Sequence, residues 1–156
     1  MQNKSEFKID YSPEVQKWFL KMMLTDAQLY TRVANIINAE NFDKSLRPVV
    51  QLFKDSAEKY STIPEPEFIQ ASTGIKLEQI ENITPGHTEK FLEEFEKFTK
   101  RQELERAILK AADMLEKGDR PIKIATLLNI PLNMVYDVLE QLQAEELYDP
   151  FDTVNS

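Results

Sequence analysis

The chain has 156 residues, 42% of them hydrophobic and 29% charged, which allows one well-buried domain with a small appendage. A net charge of −8 argues against a hold on nucleic acid driven mainly by phosphates, and zero cysteines exclude disulfides and thiolate chemistry. Three glycines leave few tight turns, so an all-α fold is expected rather than a β-rich one.

Residues 1–11 read as a polar lead-in. Met1–Asp10 lacks the apolar run of a signal peptide, and no segment reaches the roughly 18 apolar residues of a membrane span. A cytoplasmic location and no membrane partner are therefore expected. Ser12-Pro13 is a helix start, a hydroxyl cap followed by a first-turn proline. Val15, Trp18, Phe19, Met22 and Met23 follow at helical spacing. Trp18, Met22 and Met23 suit a core more than a ligand cavity or a methionine-rich docking surface. Asp26 caps a second expected helix carrying Leu29, Val33, Ile36 and Ile37. A third spans Ser45 or Arg47 to Tyr60, with Pro48 in its first turn and Val49, Val50, Phe53 and Ala57 inward.

Ile63-Pro64 and Glu65-Pro66 interrupt the helical pattern, because a residue before proline avoids the α region. Short helices are expected over Glu67–Ser72 and Leu77–Asn82, with a break at Thr84-Pro85-Gly86. The longest regular stretch is Thr88–Lys117, free of Gly and Pro and closed by Gly118. Its length of about 45 Å, at 1.5 Å per residue, would carry it beyond the core of a small domain. Phe91, Phe95 and Phe98 mark one side, and Leu104, Ile108, Ala111 and Leu115 are expected to continue that side. Two more helices follow, Pro121–Leu128 and Leu132–Leu147, joined by Asn129-Ile130-Pro131. Three regions result: a helical domain over 12–119, a helix pair over 120–147, and a tail over 148–156 expected to be flexible.

No phosphate-cradling G-x-x-x-x-G-K-[ST] or G-x-G-x-x-G occurs, the glycines standing at 74, 86 and 118. The single His87 has no second His or Cys beside it for zinc. Glu89, Glu93, Glu94 and Glu96 lack the Glu-x-x-His pairs of a di-metal bundle and read as a solvated face with Lys97 and Lys100. No catalytic residue, metal ligand or cofactor site is therefore expected, and the chain reads as a non-enzyme.

The order of elements carries a resemblance. Glu14-Val15, Phe19-Leu20-Lys21-Met22-Met23-Leu24-Thr25-Asp26, Val33-Ala34-Asn35-Ile36-Ile37 and Glu40-Asn41-Phe42 come first. Val50-Gln51-Leu52-Phe53, Glu58-Lys59-Tyr60 and Ile63-Pro64 follow, then Phe91-Leu92-Glu93-Glu94-Phe95 and Arg101-Gln102-Glu103-Leu104 through Lys117-Gly118-Asp119. Together they resemble the N-terminal domain of DnaB-type replicative helicases over about residues 13–119, roughly two-thirds of the chain. The likeness is nearer the phage members, which implies the host cytoplasm. It implies an all-helical domain that self-associates through a helical hairpin and docks primase or a loader, its long helix being the first hairpin arm. The ATP-hydrolysing motor of that family is not in these 156 residues, so a binding role in DNA replication is implied rather than hydrolysis. On this reading the exposed parts of the long helix, Phe95, Phe98, Gln102 and Glu105, are the candidate partner-binding residues.

After Asp119 the chain departs from the family. Ile124-Ala125-x-x-Leu128-Asn129-Ile130-Pro131-x-x-x-Val135-x-x-x-Leu139 looks like a helix-turn-helix, with Val135 and Leu139 expected inside. A DNA-binding regulator using Asn133, Tyr136 and Asp137 is the alternative. Charge disfavours it: residues 121–156 hold Lys123 against Asp137, Glu140, Glu145, Glu146, Asp149 and Asp152, one base minus six acids, or −5. Lys117 and Arg120 stand nearby, so the alternative keeps some support.

Overall fold

The computed structural model describes residues 10–147, and the tail over 148–156 lies outside them. The described residues are all-α, with seven α-helices, two 3-10 turns and no strand. In order, α1 is Pro13–Thr25, α2 Ala27–Val33, α3 Arg47–Tyr60, α4 Pro66–Thr73, α5 Pro85–Glu116, α6 Pro121–Leu128 and α7 Leu132–Leu147.

Local chemistry sets most of the ends. Ser12 Oγ accepts from the Val15 N–H at 3.4 Å to start α1. Asp26 closes α1 through its own N–H to Met22 O and opens α2 by accepting from Gln28 N–H at 3.0 Å. Asn38 and Asp43 cap the 3-10 turns Ala39–Asn41 and Lys44–Leu46 in the same way. Helix α2 stops at Val33, so Ile36 and Ile37 belong to the following turn; Ile37 is buried even so.

Two expectations are corrected between α4 and α5. No helix forms over Leu77–Asn82. That segment is irregular and tied to α1: Thr25 Oγ1 accepts from the Ile80 N–H at 2.7 Å, and Gln79 Nε2 donates to Leu24 O at 3.3 Å. Leu77 is buried, with Ile75, Ile80 and Ile83 against the same core. Thr84-Pro85-Gly86 is a helix start rather than a break. Thr84 Oγ1 accepts from the His87 N–H at 3.3 Å while His87 Nδ1 accepts from the Thr84 N–H at 3.1 Å. This is a capping box with histidine in the place usually held by Glu or Gln.

The chain divides into two compact units, one up to Lys100 and one from Arg101, so the divide falls inside α5 and not near residue 120. The first unit has a large core in which the Phe19 ring lies 5.2–5.9 Å from those of Phe91, Phe95 and Phe98. Met22 and Met23 are fully buried there. Gln16, also buried, donates from Nε2 to Tyr11 O at 2.9 Å and accepts the Asp43 N–H at 2.6 Å. It thereby ties the lead-in to the 3-10 region. Tyr11 continues the tie, its hydroxyl donating to Glu94 Oε1 at 3.0 Å and its ring lying 5.4 Å from Phe98.

Candidate interaction surface

The second unit consists of α5 from Arg101 onward, α6 and α7. Helix α5 ends in a Schellman motif around Gly118, whose φ of 94° lies in the left-handed region. The Asp119 N–H reaches Met114 O and the Gly118 N–H reaches Leu115 O, both at 3.0 Å. Pro121 then begins α6, and Asn129, at φ 56°, ends it with its own N–H and that of Ile130 both returning to Ala125 O. Asparagine tolerates this backbone better than most side chains, which is why the turn forms without glycine. Helix α7 begins directly after Pro131.

The core of this unit is thin. Ala111, Ile124 and Val135 are fully buried, with Met114, Leu115, Ala125, Leu128 and Ile130 half-buried around them. Val138 is buried too, whereas Leu139 is only half-buried. The apolar side of α5 does not run on as one stripe. Ala111 is buried, but Leu104 and Ile108 are exposed.

What this unit leaves outside is large for its size. Of nine exposed large hydrophobic side chains among the described residues, seven belong to it: Leu104, Ile108, Leu109, Ile122, Leu127, Leu132 and Tyr136. Leu109, Ile122 and Leu127 are each about two-thirds exposed, at 66%, 65% and 63%. Single exposed apolar side chains are ordinary; here seven belong to one weakly filled unit.

Charge is uneven on the same unit. Before α6 the five bases Arg101, Arg106, Lys110, Lys117 and Arg120 are balanced by Glu103, Glu105, Asp113, Glu116 and Asp119, whereas α7 carries Asp137, Glu140, Glu145 and Glu146 and no base. Lys117 is hydrogen-bonded to Asp113 at 2.9 Å, which raises its pKa above the ordinary lysine value. Lys123 pairs with Asp119 at 3.1 Å. Both pairs are exposed and one turn apart, and add little to stability.

The residues singled out from sequence fall in three places. Phe95 and Phe98 are fully buried among Phe19, Phe42 and Phe91, so they serve the first core and are not an outward face. The reason is that α1 and the Phe42 region cover the side of α5 that sequence left uncovered. Gln102 is half-buried and Glu105 exposed, both in the second unit. Asn133, Tyr136 and Asp137 are exposed on the first turns of α7. Leu109, Ile122, Leu127 and Leu132 were missed. Spacing could have flagged Leu109, which sits beside Ile108 where one helical face cannot hold both centrally. Glu93, Glu94 and Glu96 form ion pairs with Lys97 and Lys100 at 3.4–3.7 Å along α5, and no helix among the described residues is long and apolar enough to cross a membrane.

No known protein family, curated protein or solved structure matches the chain.

Proposed function

We propose that this chain is a non-catalytic protein–protein interaction module of DNA replication, working through its second unit. The observation that carries the reading is the concentration of exposed leucine, isoleucine and tyrosine side chains over residues 104–136 around a core of three fully buried residues. Such a unit gains most by burying apolar surface against protein. A second copy, which would meet these apolar side chains with its own across a two-fold axis, is the first partner proposed. The resemblance to DnaB-type N-terminal domains supports a replicative helicase or primase as the further partner, and phage replication as the setting.

A DNA-binding role for Asn133, Tyr136 and Asp137 has the weaker support, since α7 offers four carboxylates and no cation to a duplex. The test is the mass in solution at about 50 and 200 mM salt, alone and with a duplex of about 30 bp. Self-association that ignores the duplex supports the module. Duplex binding that weakens steeply with salt overturns it in favour of the DNA reader.

A further inference from the structure

We propose that the groove over Trp18, in the first unit, receives an arginine side chain from a basic segment of a protein partner. The groove has a volume of about 310 Å³ and is lined by Glu14, Val15, Trp18, Phe19, Lys90 and Glu94. That is the low end of the range of about 300–1,000 Å³ for ligand sites, room for one long side chain rather than a cofactor. Helix α1 supplies one wall and the first turns of α5 the other.

Three features define the occupant. The indole of Trp18 is half-buried, and the Nζ of Lys90 stands 5.9 Å from its ring centroid. The indole π-face therefore already holds a cation, supplied by the chain itself. Two carboxylates line the same groove. Among the described residues Glu14 pairs with Lys17 at 3.4 Å, its side chain largely in solvent. Glu94 accepts from Tyr11 through Oε1 at 3.0 Å and has Lys97 3.7 Å from Oε2. The Glu14–Lys17 pair is exposed and yields at little cost, whereas the Glu94 side chain is only 13% exposed and keeps its Tyr11 bond, so Glu14 is the carboxylate open to an arginine.

A flat guanidinium can stack on the indole and donate to a carboxylate at once, and it is less strongly hydrated than an ammonium. The incoming arginine displaces the Lys90 ammonium from the ring, and the chain's charge of −8 draws basic segments toward it. Lys90 is thus the resident competitor of the site. The site lies wholly within the first unit and is independent of the surface proposed above.

Trp18 is the only tryptophan of the chain, so its fluorescence reports this groove alone. The full chain is titrated with a capped Gly-Arg-Gly peptide at constant ionic strength, beside the same peptide carrying citrulline, the neutral shape-equivalent of arginine. The expected result is a saturable change in emission with arginine and none with citrulline. Lys90→Gln removes the competitor and tightens the arginine peptide about two- to fivefold, the scale of an exposed cation–π contact. Glu14→Gln weakens it. Equal responses to arginine and citrulline, or an affinity indifferent to Lys90→Gln in a variant with the helical content of the parent, overturn the proposal.

Discussion

Phe95 and Leu109 lie on the same helix, and the structure gives them opposite energetic roles. Phe95 is fully buried, edge-on to Phe19 at 5.2 Å, stacked on Phe91 at 5.5 Å and near Phe98 at 5.9 Å. Phe95→Ala deletes a whole ring from among Phe19, Phe42, Phe91 and Phe98. The cost combines lost transfer energy and a cavity, about 3–5 kcal/mol together. Leu109, two-thirds exposed, packs on little, and Leu109→Ala should change stability by no more than about 0.5 kcal/mol in the unassociated chain. Urea unfolding followed by Trp18 emission for the first unit, and by far-ultraviolet circular dichroism for the helices of both, separates them. With a slope of about 2 kcal/mol per molar, Phe95→Ala lowers the midpoint by about 2 M while Leu109→Ala leaves it nearly unmoved. A Phe95→Ala midpoint within about 0.5 M of the parent would refute the assignment of Phe95 to the core.

Other perturbations address separate parts of the account. Thr84→Ala should cost about 1 kcal/mol by removing the cap of α5, while His87→Glu should keep the reciprocal pattern and cost less than His87→Ala in the same melt. Burial, and secondarily the charge of Glu58, raise the Tyr30 pKa above its ordinary 10.0. The neutral phenol is thus favoured on folding: its contribution is whole below about pH 10 and is lost as pH rises through the folded value. Tyr30→Phe should blunt that alkaline loss in an unfolding series. Asp43 behaves oppositely, its pKa lowered first by the Ser45 hydroxyl and then by the Ser45 N–H. Its contribution is present above the ordinary 3.8 and is lost as pH falls through the lowered folded value, and Asp43→Asn should remove that acid limb. Gly118→Ala should destabilise the second unit by about 1 kcal/mol or more, because φ of 94° disfavours any Cβ; hydrogen exchange in α6 and α7 would report it.

Sequence alone showed the helices wherever a capping residue stood next to a period of 3.6. Ser12-Pro13, Asp26, Gly118 and Pro121 each mark a real terminus. It failed where a distant partner decides. The segment around Ile80 has helix-like apolar spacing, yet Thr25, 55 residues away, takes the Ile80 N–H that a helix would use within itself. Thr84 reads as a break until His87 is seen to complete its cap. The docking residues failed for a related reason. A wheel of α5 shows Phe95 and Phe98 as an apolar stripe, but only the packing of Phe19 and Phe42 tells that the stripe is covered. Leu109, Ile122 and Leu127 are legible as a surface only after the small core of Ala111, Ile124 and Val135 is known to leave them out.

The central claim is that the second unit binds protein through its exposed apolar side chains, and light scattering behind size exclusion tests it most directly. The account predicts a mass above the 18.2 kDa of one chain, unaltered by duplex DNA and returned to 18.2 kDa by Leu104→Glu with Leu109→Glu. A mass of 18.2 kDa at every concentration, with duplex binding that falls away as salt is raised, would contradict it.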